Sequence, residues 1–185
     1  MSRILFLVLI VSLLPARGAD VAGVRIDEKA SVANAQLGLT GAGLRTKLFF
    51  DVYVIGLYVA DPKSDPFTQP GPKRVAIRML RNASAAQFTE ALVEGIRENH
   101  SAAELRALEA RVQVLVAAMA EVKQAEKGMN ITLDWDGAVT RLGIDGKTVG
   151  SVIEGADFYR ALLRIWIGEH PVQEDLKKAL LGAGE

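Results

Sequence analysis

The 185-residue chain contains no cysteine, which excludes disulfide staples, thiolate catalysis and every metal site built on Cys. It has two histidines, His100 and His170, seventy residues apart. A pair so separated makes no zinc site without carboxylates, so no metal is expected. Charge of one sign is missing too: 22 basic and 22 acidic residues give a formal net charge of zero. Without a basic stripe to neutralise phosphates, nucleic acid is not an expected partner. No Gly-x-Ser-x-Gly elbow or other nucleophile motif occurs. Past residue 14 no stretch approaches eighteen consecutive apolar residues, so no spanning helix is expected in the body of the chain.

The N-terminus is different. Arg3 precedes an unbroken apolar run over residues 4–11 that continues through Leu13 and Leu14, followed by Pro15 and the small residues Ala16, Gly18 and Ala19. That is the layout of a secretory signal, and a run of about eleven residues is too short to cross roughly 30 Å of hydrocarbon. The expectation is a signal peptide over 1–19, a single domain over 20–185, a periplasmic or secreted location, and no stable membrane insertion once the signal is gone. Loss of Arg3 and Arg17 leaves 20 basic against 22 acidic residues. A domain of about 166 residues buries roughly 70 % of its unfolded surface, enough for a core without staples.

Along that domain, residues 21–26 and 31–39 read as extended, followed by Gly41-Ala42-Gly43, which reads as a tight, close-approaching turn. Residues 48–59, LFFDVYVIGLYV, place apolar side chains on both alternating faces, the mark of a strand covered on both sides. Three prolines between residues 64 and 72 mark a loop, and 74–80 alternates as a strand. Ser84 with Gln87 and Ser101 with Glu104 are capping boxes that open two helices. Phe88, Leu92 and Ile96 stripe the first; Leu105, Leu108, Val112, Leu115, Met119 and Val122 stripe the second. Residues 130–135, 139–144 and 147–153, separated by Asp136-Gly137 and Asp145-Gly146, read as a three-stranded meander whose turns want positive φ at both central residues. A helix over about 156–167 ends at Gly168, and a last amphipathic helix carries Leu176 and Leu180. The order implies α+β with a mainly antiparallel sheet.

Several motifs reduce to structure. Gly41-x-Gly43 is not a phosphate cradle, because a strand and not a helix follows it. Asp134 and Asp136 beside a turn read as a solvated hairpin end, and His170 before Pro171 as a residue at a helix C-terminus. Asn99-His100 lies at the junction of the two long helices, where side chains can project into a cleft. Arg45 is the most informative: a permanent charge beside a run apolar on both faces wants an anion. In unbroken alternation Arg45, Lys47, Phe49, Asp51 and Tyr53 share a face, which puts Tyr53 in line with Arg45 unless a bulge intervenes. Pairing of Arg45 with Asp51 is the alternative.

The segment GAGLRTKLFFDVYVIGLYV, residues 41–59, resembles the core of chalcone isomerases and of their non-catalytic relatives, the plastid fatty-acid-binding proteins and bacterial chalcone-isomerase-like proteins. Thr148-Val149-Gly150-Ser151-Val152-Ile153-Glu154 and Trp166-Ile167-Gly168-Glu169 add a second stretch of likeness. The resemblance implies an open-faced β-sandwich, a mainly antiparallel sheet with helices packed on one face and a ligand cleft between them. It implies that Arg45 orients a substrate or holds a carboxylate, that Tyr53 stands where the fatty-acid binders also have Tyr, that Thr148 lines the pocket, and that His100, or Asn99 beside it, falls near the enzymes' active-site Tyr.

With Tyr at 53 and no Tyr near 100, the polar network that would stabilise an enolate is altered. The expected function is therefore non-catalytic binding of a fatty acid or similar small apolar carboxylate or lipid, without a cofactor, through Arg45, Tyr53, Asn99, His100 and Thr148. An isomerase or lyase acting on an enone, with Arg45, His100 and Thr148, is the alternative. A third reading is an interaction module whose cleft is filled by its own side chains.

Overall fold

The computed structural model describes residues 18–183; the expected signal lies, up to residue 17, outside the described residues. Chain order is β1 (Ala19–Val21), β2 (Val24–Ile26), β3 (Lys29–Val32), β4 (Ala35–Lys47), β5 (Phe50–Val59), β6 (Lys73–Met79), β7 (Ala83–Ser84), α1 (Ala85–Glu98), α2 (Ala102–Ala120), β8 (Gln124–Ala125), β9 (Asn130–Trp135), β10 (Val139–Ile144), β11 (Lys147–Glu154), α3 (Ala156–Ile167) and α4 (Glu174–Leu180). Seven strands form one antiparallel sheet in the order β11-β10-β9-β6-β5-β4-β3, while β1 pairs with β2 and β7 with β8. This is the expected α+β open-faced sandwich.

Alternation explains the layering. On β5, Tyr53, Ile55, Leu57 and Val59 join the main core beneath the helices, whereas Val54 and Tyr58 join a smaller cluster with Ile26, Val32 and Leu37 on the opposite face. Both faces of that strand are covered because the N-terminal β1–β2 hairpin packs behind it. Helix α3 is the central helix: Phe158, Tyr159, Leu162, Leu163 and Trp166 are all buried, and the Tyr159 hydroxyl donates to the Leu133 carbonyl at 3.0 Å. Ser84 and Ser101 each form the reciprocal capping box with Gln87 and Glu104, satisfying amides that α1 and α2 would otherwise leave open. Of the stripe expected on α2, Leu108, Leu115 and Met119 are buried, Leu105 and Val112 are half-buried, and Val122 lies beyond the helix end.

Three local expectations change. Gly41 and Gly43 are not in a turn; they lie inside β4. The reason is α4, which packs directly on that strand: a Cβ on Gly41 would meet the Ala179 carbonyl oxygen, and one on Gly43 would lie 2.7 Å from Leu176 Cδ1. Residues 45–59 are not one continuous strand either, because Leu48 and Phe49 close a hairpin, with Lys47 paired to Phe50. Of the two Asp-Gly turns, Asp145-Gly146 has positive φ at both residues, but at Asp136-Gly137 only the glycine does. The Asp136 carboxylate instead accepts the amides of Ala138 and Val139, each at 2.9 Å, which holds a wider loop.

Candidate ligand site

Strand β3 accompanies β4 only as far as Gly38, so the rest of β4 forms the edge of the sheet, and α4 lies over it. At this seam Arg45 and Tyr53 stand directly opposite each other on the two strands of the hairpin. Cross-strand partners share a face, so the two side chains meet as expected, across the hairpin and not along one strand. A bulge intervenes next to them: Arg45 pairs with Tyr53 but Thr46 with Asp51, leaving Val52 as the extra residue. Its carbonyl accepts the Leu80 amide at 2.9 Å.

Tyr53 is 8 % exposed. Its ring meets Phe88 edge-on, with centroids 6.4 Å apart, and its hydroxyl accepts the indole N–H of Trp166 at 2.9 Å. Burial raises its pKa, against the lowering effects of the Trp166 hydrogen bond and of the Arg45 charge. The phenol therefore stays protonated. It accepts one hydrogen bond, from Trp166, with the Arg45 charge near it, and among the described residues no acceptor takes its own proton.

Arg45 is half-buried. Nη1 donates to the Thr46 carbonyl at 2.6 Å and to Gln173 Oε1 at 3.2 Å. Among the described residues it forms no ion pair with Asp51 or with any other carboxylate, so the internal pairing held open from spacing is absent. Gln173 also accepts the Thr46 amide at 2.9 Å and donates through Nε2 to the Leu44 carbonyl at 3.2 Å. Its amide thus covers the open edge of β4 in the way a further strand would. Gln173 was not foreseen. The signal for it was faint: glutamine at the N-cap of α4, where Ser, Thr, Asp or Asn is usual, with no capping hydrogen bond of its own.

The remaining predicted residues lie elsewhere. Asn99 closes α1 and ties it to the loop after α3: Nδ2 donates to the carbonyls of Gly95 at 3.0 Å and His170 at 2.8 Å, and Oδ1 accepts the His170 amide at 3.0 Å. A Cβ on Gly168 would collide with Asn99 Oδ1, which accounts for that glycine. His100 Nδ1 lies 2.7 Å from the Ile96 carbonyl, a contact that requires the proton on Nδ1. Both line a surface depression of about 690 Å³ with His170, Arg160, Arg164 and Lys177; Arg45 is not among its lining residues. Thr148 is exposed on β11, with four strands between it and β4. The structure therefore unites Arg45 with Tyr53, unites Asn99 with His100, and leaves Thr148 apart from both. Asp134 is held by Arg74 through two hydrogen bonds of 2.6 Å, and Asp136 by Arg141. No cluster able to hold a metal ion occurs among the described residues.

An antiparallel sheet roofed by helices, with a polar pair at the seam between the layers, defines a chalcone-isomerase-type sandwich. The family profile described as chalcone isomerase-like matches residues 18–182, and the chain belongs to that family. Among solved structures it is similar to a fatty-acid binding protein of Arabidopsis thaliana, with a TM-score of 0.65 and 17 % identity over 86 % of this chain and 92 % of that one. No curated protein matches.

Proposed function

We propose that this protein is an exported, non-catalytic binder of a fatty acid or similar small apolar carboxylate, held head-first by Arg45 and Tyr53. The observation that carries the reading is the donor set: among the described residues, a half-buried guanidinium is without a carboxylate, beside a buried neutral phenol whose proton has no acceptor. A carboxylate is the ligand that completes both, one oxygen on each. The name of the Arabidopsis protein supports the same class, and the layout of residues 1–19 supports export. Hydrogen bonds to a charged group are worth roughly 1.5–3 kcal/mol each and a buried methylene about 0.8 kcal/mol, so the acyl chain supplies most of the affinity and Arg45 its orientation.

Side chains fill the interior beside the clamp in this conformation, with Phe88 and Trp166 against Tyr53. A ligand tail therefore enters by parting the helix layer from the sheet. A groove of about 340 Å³ runs between α1 and α2 in that layer, lined by Val93, Ile96, Leu105, Val112 and Val116 and rimmed by polar side chains such as Arg97 and Glu109. The enone-isomerase alternative would draw Arg45, His100 and Thr148 from three separate places.

The test is a titration of delipidated protein with a long-chain fatty acid and with its methyl ester. The acid is expected to bind and the ester to bind much more weakly, with Arg45→Ala weakening the acid by about tenfold or more. No binding of the acid, or equal binding by Arg45→Ala, refutes the proposal.

A further inference from the structure

Leu48 and Phe49, which close the β4–β5 hairpin, are 84 % and 98 % exposed, and Phe50 is 54 % exposed. Three consecutive large apolar side chains at a protruding turn are not a surface adapted to water alone. Nor is the turn built for connection: Leu48 holds φ 58°, a left-handed conformation suited to Gly or Asn. The charge around it has mostly one sign. Lys47 and Arg81 are exposed and without ion-pair partners among the described residues, and the Arg81 guanidinium lies 4.3 Å from the centroid of the Phe50 ring. Within residues 45–51 the single acid is Asp51.

We propose that this tip docks on an anionic lipid leaflet, with Leu48, Phe49 and Phe50 entering the boundary between headgroups and acyl chains and Lys47 and Arg81 resting against lipid phosphates. Apolar side chains flanked by basic ones make the combination that holds peripheral proteins at such surfaces. A protein partner fits less well. A convex turn offering three apolar side chains falls far short of the roughly 800 Å² per partner of a stable interface, whereas a fluid leaflet closes around a projection from every side. The inference does not rest on the carboxylate reading, and its test leaves Arg45 and Tyr53 untouched.

The probe is Phe49→Trp in the protein as it accumulates in its cells, with the N-terminus read by mass spectrometry. Trp135 and Trp166 are buried, so the introduced indole reports on the tip. Its emission is expected to shift to the blue with vesicles containing phosphatidylglycerol, less with phosphatidylcholine alone, and less again in high salt. Adding Leu48→Gly should weaken that response about tenfold while leaving the melting temperature equal or higher, which separates docking from unfolding. Lys47→Glu with Arg81→Glu should remove the preference for anionic vesicles. If the apolar run at residues 4–11 is retained, it would hold the chain on vesicles by itself, but the indole still reads the tip directly. An emission that ignores vesicles overturns the proposal, as does an equal response with Leu48→Gly. So does a blue shift that grows with protein concentration alone, which would place the tip against a second copy.

Discussion

Replacing Gly41 with alanine tests why β4 contains glycines at all. In a strand interior the substitution is ordinarily favourable by roughly 0.5–1 kcal/mol, because glycine loses more backbone entropy on folding. Here the added Cβ would point at α4, only 2.8 Å from the Leu180 carbonyl oxygen and closer still to that of Ala179. Carbon and oxygen approach to about 3.3 Å in ordinary close contacts, and a backbone carbonyl has no rotamer by which to withdraw, so α4 must lift as a unit. Overpacking of this kind costs about 1–3 kcal/mol, at times more. The expected net loss is about 2 kcal/mol, a fall in melting temperature of about 4–8 °C.

Gly43→Ala is the control. Its Cβ would meet the Leu176 Cδ1 end of a flexible side chain at 2.7 Å and Ala179 Cβ at 3.0 Å, so the loss should stay below about 1 kcal/mol. Thermal melts followed by circular dichroism give the ranking. Hydrogen exchange at the Thr46 amide gives a second readout, since that amide donates to Gln173 and lifting α4 withdraws the glutamine. A Gly41→Ala protein as stable as the parent, with Thr46 equally protected, would refute the packing argument.

Ser101→Ala removes one half of a reciprocal capping box and should cost about 1 kcal/mol in denaturant unfolding; Ser84→Ala should behave alike at α1. Asp136 is held down from its ordinary 3.8 to about 2, first by the Arg141 hydrogen bond and then by backbone amides. A lowered folded pKa contributes stability that is present above the unfolded value and lost as pH falls through the folded one. Asp136→Asn should therefore flatten the stability profile between about pH 4 and pH 2, and an unchanged acid limb counts against the pairing. All three tyrosines have raised pKa values, Tyr58 to about 12, with burial the largest cause in each case. Their contribution is present below pH 10 and lost as pH rises beyond it. Tyrosinate absorbance should appear together with loss of far-ultraviolet ellipticity; a midpoint near 10 in folded protein would contradict their burial.

Legibility followed the range of the interactions. Both capping boxes, the meander and the Ala156–Ile167 helix were readable because caps, Asp-Gly turns and 3.6-residue stripes act within a few residues of sequence. The Leu48-Phe49 hairpin was not, since neither residue belongs to the usual turn chemistry and Leu48 takes its left-handed conformation against preference. Arg45 and Tyr53 were correctly linked, but through a register that does not exist: cross-strand pairing and a bulge at Val52 bring them together.

By itself the sequence determined the order of elements, the two-faced burial of β5, the absence of thiol chemistry and the likeness that singled out Arg45. Only the tertiary structure decided what Arg45 meets. Tyr53 stands opposite it from β5 and is itself held by Trp166 of α3, while Gln173 arrives from the cap of α4, and contacts between segments so far apart depend on strand order and on one helix pressed against two glycines. The same strand order carried Thr148 to the far side of the sheet. Local preference has no means of specifying distances of that kind, because they follow from the packing of whole layers.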